Sequence, residues 1–315
     1  VGEGGSMVNI GRAELLVAVY SGLFPGHPLT ELKAKRLSLR LEQQPDDRWE
    51  LHGLPKQADS QADALDVLSG FGELQVENSV LQVTLKNKAP IRIPRMDMRL
   101  RVQDRSLSVG LRAQAKAGGK PLFLVAEVDR KSYTGKLWLG APEIQLAEWL
   151  ELAPQWNPPK LYARSKLDLW ADLTQRRISR VHSRLDIKQL SFRRPAQKKL
   201  FAFGTEPALF DRISVESHWR RRADGWDLNI PAIVFESRNQ ERLVSDIRVH
   251  AGQGRWQAKA AAVDVSALAA LNPALSRQLP KVHAWLRNAD LSGRFSRLKA
   301  HGDTGRNAWT ISGRA

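Results

Sequence analysis

Seven histidines are the first residues to weigh for chemistry: His27, His52, His182, His218, His250, His283 and His301. A metal site legible in sequence needs H-x-H, H-E-x-x-H or a similar close pair, which puts two donors on one face of a strand or helix. These histidines fall singly, so no metal site is expected. Glu216, Ser217 and His218 are three catalytic residue types in a row. On a strand, however, successive side chains alternate faces, and Ser217 turns away from both neighbours. Gly2–Ser6 (GEGGS) and Gly252–Gly254 (GQG) lack the lysine and the following helix of a phosphate cradle. No carboxylate pair sits in the apolar setting that raises a general acid's pKa. No catalytic residue and no cofactor is therefore expected, and the chain reads as a non-enzyme.

The absence of cysteine removes disulfides, thiolate metal sites and cysteine nucleophiles. The 49 Lys+Arg against 33 Asp+Glu give a net charge of +16, compatible with nucleic acid, an anionic membrane surface or acidic ligands. The charge is spread along the whole chain, without a dedicated basic arm. Trp and Arg lie close together in SHWRRRADGW (Ser217–Trp226), but Arg220–Arg222 runs into an expected hairpin turn. Nucleic acid is not the expected partner. The longest apolar run, Leu15–Phe24, is about half the ~20 residues of a spanning helix. The chain does not begin with Met and is read as an interior piece of a longer protein.

The elements that must carry any site are strands. Apolar residues recur with period 2 at Leu37, Leu39 and Leu41; at Met96, Met98, Leu100 and Val102; and at Leu107, Val109 and Leu111. The same period holds at Leu167, Leu169, Ala171 and Leu173; at Val181, Leu185 and Ile187; at Ile213, Val215 and Trp219; at Trp226, Leu228 and Ile230; and at Trp256, Ala258 and Ala260. Charged residues fill the opposite parity. Turn-forming stretches separate these runs: Gln43–Asp47, Ala117–Pro121, Arg222–Gly225, Ala251–Gly254 and His301–Gly305. That order predicts successive antiparallel hairpins. Helical spacing is confined to Ser60–Phe71, Gln145–Leu152 and Asp264–Leu279, the last interrupted by Pro273. The second and third of these each precede a long strand, about 120 residues apart, which hints at a repeat with a boundary near Pro154–Lys160. Two units are expected, 1–155 and 156–315.

Leu161–Leu173 alternates over 13 positions, roughly 40 Å of extended chain at ~3.3 Å per residue. Two or three short helices cannot cover a sheet of such strands. It must close on itself, pair with a second sheet, or bury its apolar face against something that is not this protein.

Several motifs resemble the AsmA-like proteins, and in particular their YhdP branch. RLSLRLEQQPDDRWELHGLP (Arg36–Pro55) is similar to an N-terminal element of that family. KLWLGAPEIQLAEWL (Lys136–Leu150) resembles its strand-then-helix unit, and LDLWADLTQRRISRVHSRLDI the hairpin that follows. GWDLNIPAIVFES, with Gly225, Trp226, Ile230 and Pro231, and VSALAALNPALSRQLP continue the likeness in order, which spans about Met7 to Gly293. The resemblance implies a mainly β fold: an elongated, curved antiparallel sheet forming a taco-like hydrophobic groove, with two or three short helices, as in bridge-like lipid transfer proteins.

It further implies a Gram-negative envelope protein in the periplasm, held in the inner membrane by an N-terminal anchor missing from this chain. Its role would be to carry phospholipids between inner and outer membranes, with outer-membrane or periplasmic proteins as further partners. The groove wall would be Leu107, Val109, Leu111, Leu167, Leu169, Leu173, Val181, Leu185, Ile187, Ile213, Val215, Trp219, Trp226, Leu228 and Ile230. The alternation by itself fits equally a closed sandwich with a dry core, serving as a structural or protein-binding domain in outer-membrane biogenesis.

Overall fold

A computed structural model describes residues 12–17, 30–46, 49–53, 73–103, 105–152, 161–192, 209–238, 240–266, 271, 293–303 and 308–314. The chain is mainly β, as the alternation predicts, and divides into two compact units: Val1–Gly140 with Asp172–Ile178, and Ala141–Ala171 with Ser179–Ala315.

The first unit holds β1 (Arg12–Val17), β2 (Thr30–Lys35), β3 (Ser38–Gln43), β4 (Trp49–His52), β5 (Glu73–Thr84), β6 (Ile91–Val102), β7 (Ser106–Gln114) and β8 (Leu122–Asp129). It also holds most of β9 (Gly135–Gln145). Strands β5 to β9 form an antiparallel meander. The start departs from the expected run of hairpins, because β2 and β3 both pair with β5 in parallel. β2 takes its N-terminal half and β3 its C-terminal half. The step between them is matched by a kink in β5, with Arg36 at φ 61° and Asn78 at φ 50°. Fully buried Ser79 closes this step: its Oγ accepts from the Leu37 N–H at 2.9 Å and donates to the Glu77 carbonyl at 3.0 Å. No local sequence pattern announces that pairing.

The second unit begins with the end of β9 and the short helix α1 (Leu146–Glu151), within the predicted 145–152 segment. It continues through most of β10 (Tyr162–Thr174) and of β11 (Arg177–Ser191), whose shared turn end Asp172–Ile178 belongs to the first unit, and then through β12 (Phe210–Arg221), β13 (Gly225–Ser237), β14 (Gln240–Gly252), β15 (Arg255–Asp264), β16 (Arg294–Asp303) and β17 (Ala308–Arg314). β10 has the predicted length of 13 residues and lies one position on from the predicted Leu161–Leu173. From β11 to β17 each strand pairs antiparallel with the next. The predicted helix over Ser60–Phe71 lies outside the described residues. So does nearly all of the one predicted over Asp264–Leu279, and with it the second half of the suggested repeat.

One end of the β11–β16 strands carries a dry core. Leu190, Phe210, Ile213, Phe235, Val244, Val263 and Val265 are buried together, and Leu146 of α1 packs against them. The Phe210 and Phe235 rings meet at a centroid separation of 5.3 Å. Sheet parity does not run straight through this core. The apolar face switches from odd to even numbers on β11 at Gln189 (φ 55°) and on β16 at Arg297 (φ 53°), and from even to odd on β14 at Asp246 (φ 50°). On β13 the switch falls at Pro231, beside the register shift that separates the Val215 and His218 pairings of β12. Proline has no N–H to give a ladder and is confined to such irregular positions. A left-handed residue inside a strand adds one residue and bends it. The apolar residues therefore stay on one face while the strands turn.

Candidate functional site

Cross-strand register assembles the apolar residues of the second unit into rows perpendicular to the strands. One row is Val181–Trp219–Leu228–Val249–Ala258–Ala300–Ile311, crossing seven strands without a polar member. Six of these side chains are half-buried, and Ile311 is 48% exposed. A second row, Leu185–Val215–Ile233–Val244–Val263–Phe295, lies towards the dry core, and Val244 and Val263 are buried in it. Between the rows, Ile230 pairs with Ile247 and Ser183 pairs with Ser217. A hydrogen bond of 2.7 Å joins the two serine hydroxyls, one donating and the other accepting, which reduces the polar demand on an otherwise apolar surface.

A third row sits at the turn end: Trp226–Ala251–Trp256–Gly302–Trp309. Large and small residues alternate along it. The Trp256 ring lies so close over Gly302 that a Cβ there would approach Nε1 to 2.6 Å. Gly225 has a backbone reason. A Cβ would come within 1.9 Å of the Ala251 carbonyl, so the strand that carries Trp226 can approach β14 only with glycine.

Each residue expected in the wall lies on a strand. Val181, Leu185, Ile187, Val215, Trp219, Trp226, Leu228 and Ile230 are half-buried on β11–β13, and Ile213 is buried in the dry core. Leu167, Leu169 and Leu173 are half-buried along β10. In the first unit Leu107, Val109 and Leu111 are half-buried on β7. They pair with Val102, Leu100 and Met98 of β6 and with Val128, Ala126 and Leu124 of β8. Burial there is graded: Leu74, Val76, Leu100 and Met98 are fully covered on β5 and β6, while Leu124, Leu137 and Leu139 on β8 and β9 are half-buried.

The register also adds residues that were not expected: Ile247 and Val249 on β14, Ala258 on β15 and Ala300 on β16. Alternation at Ile247, Val249 and Ala251 was the available signal for β14.

The opposite face is ionic. Asp186 accepts from Arg212, and Asp227 accepts from Arg220 at 3.1 Å, from Arg222 and from His250 at 2.8 Å. His250 and the two guanidiniums hold the Asp227 carboxyl far below the usual carboxylate range. His182 donates to Glu216 at 3.0 Å and lowers its pKa in the same way. Sequence spacing gave no reason to associate His182 with Glu216 and His218. The register does, by setting His182 opposite His218. Ser217 lies on the other face, bonded to Ser183, so the Glu-Ser-His triplet forms no catalytic triad.

A mainly β chain with one apolar and one ion-paired face, and with the motif order described above, is similar to the AsmA-like proteins, a class associated with lipid transport in the cell envelope. The chain belongs to the YhdP family: the family model described as YhdP protein matches residues 5–315. No curated protein and no solved structure matches it. Among the described residues, no helix is long and apolar enough to cross a membrane.

Proposed function

We propose that the chain is a non-enzymatic segment of a phospholipid conduit between the inner and outer membranes of a Gram-negative envelope. Acyl chains lie along the apolar rows and head groups project into water. The observation that carries this reading is the seven-strand row from Val181 to Ile311, apolar throughout yet left half-buried. Membership of the YhdP family supports it.

The energetics demand such a surface. The ~30 acyl methylenes of a phospholipid would cost on the order of 20 kcal/mol to expose to water, at about 0.8 kcal/mol each. A carrier must therefore keep the tails covered at every step. Non-polar rows that continue from strand to strand do so, while the ionic face keeps the outside of the wall in solvent.

The test is a photo-crosslinking amino acid at Leu185, on the apolar face, and at Arg184, on the ionic face. The protein is purified without detergent, and the adducts are identified by mass spectrometry. Phospholipid adducts at position 185 and none at 184 are the expected result. Protein adducts at 185, with no extractable lipid, would instead indicate a structural or protein-binding domain.

A further inference from the structure

The geometry points to a site for one divalent transition-metal ion, Zn2+ by its donor set, held by His182, Glu216 and His218 on the ionic face of β11 and β12. Antiparallel register places His182 directly opposite His218, and Glu216 precedes His218 by two residues on the same face. Three donors thus form a triangle that two strands alone can build: one cross-strand neighbour and one i, i+2 neighbour. Their ligand atoms all lie within 4.8 Å of one another, and among the described residues no other group of three His, Asp or Glu is gathered in this way.

The donors lie close together. Nε2 of His182 is 3.0 Å from Oε1 of Glu216, and Nε2 of His218 is 3.4 Å from the same oxygen. A tetrahedral ion with bonds of about 2.0–2.2 Å spaces its ligands roughly 3.3 Å apart. Both His–Glu separations already match that spacing. Two imidazole nitrogens with one carboxylate oxygen suit zinc and its late first-row neighbours. Magnesium and calcium demand more oxygens.

The His182 ring stacks on Trp170, at 5.3 Å, and on His218, at 4.5 Å and 12° from parallel, so one imidazole turns out of the stack when both nitrogens bind a shared ion. Arg184 approaches the other Glu216 oxygen at 3.6 Å and fixes the carboxylate. Three protein ligands would leave a fourth position for water or an anionic group, and His218 is exposed. The bound ion would tie β11 to β12 through side chains, across the sheet from the Ser183–Ser217 pair. This inference does not depend on the lipid reading, because the site uses none of the apolar rows.

The test is calorimetric titration of Zn2+ into the 315-residue chain, made without a polyhistidine tag and stripped with a chelator. Saturable binding near one equivalent is expected. Affinity should fall at least tenfold in His182→Ala and in His218→Ala, and remain unchanged in Lys259→Ala, an exposed residue of β15 away from the site. Circular dichroism checks that the variants fold. In the unmodified protein, Zn2+ should shift the NMR ring resonances of two histidines together, a readout that needs no variant. Three results would each overturn the assignment: no saturable binding, undiminished binding in the His182→Ala/His218→Ala double variant, or equally tight binding of Mg2+ or Ca2+.

Discussion

The hydroxyl oxygens of Ser183 and Ser217 lie 2.7 Å apart across β11 and β12, on the apolar face, between the Leu185–Val215 and Val181–Trp219 pairs. One hydroxyl donates and the other accepts, so the pair lowers the polar demand at a position where either serine alone would leave more of it unmet. Removing one partner strands the second. Ser183→Ala and Ser217→Ala should each destabilise the fold, while the double variant should lose less than their sum. The coupling should be about 0.2–1 kcal/mol, the range of cross-strand hydroxyl pairs. Urea unfolding of the four proteins measures it. Strict additivity would mean that water satisfies the two hydroxyls separately.

Leu228 and Phe235 occupy the same strand under different conditions. Phe235 is 2% exposed in the dry core, whereas Leu228 sits half-buried in the long row. Phe235→Ala should cost about 3–5 kcal/mol through cavity formation. Leu228→Ala should cost roughly 1–2 kcal/mol, because its side chain keeps part of its hydration in the native state. Denaturant midpoints separate the two. A loss at Leu228 as large as that at Phe235 would mean that the row is closed off as sandwich core, and the conduit reading would fail with it.

Asp227 sets an acid-side prediction. Its folded pKa is depressed below the ordinary value of 3.8 by His250, Arg222 and Arg220. A depressed carboxylate contributes stability that is fully present above its unfolded pKa and is lost as the pH falls below it, towards the folded value. Asp227→Asn should therefore lower the thermal midpoint at pH 7, and its gap to the parent protein should narrow as the pH drops below about 4. The carboxylate is only partly covered and its arginine partners are exposed, so salt should weaken the effect. A gap independent of pH between 7 and 3 would show that the aspartate acts by packing and not by charge.

The strands were legible because one face is apolar and the other charged, and period 2 has no other simple cause. β10 could be read from end to end. What could not be read depends on partners distant in sequence. The parallel pairing of β2 and β3 with β5 hangs on Ser79 receiving the Leu37 N–H, a contact between residues 42 apart. The parity switch at Asp246 hides β14 from a straight alternation count, since Val244 and Ile247 share a face only if the backbone between them turns left-handed. His182 and His218 are unremarkable singly and become neighbours only through the β11–β12 register. The wall residues were visible as apolar positions. Their continuity across strands was not, because rows are written by register.

The row from Val181 to Ile311 behaves as a ruler. Each strand adds one mark of ~4.8 Å, and each further hairpin lengthens the wall by about 10 Å without altering its cross-section. The distance such a wall covers is then a count of hairpins, so a protein built this way can be fitted to a wider or narrower gap by inserting or deleting pairs of strands. The only requirement on a new pair is that it preserve the register and the alternation of its neighbours.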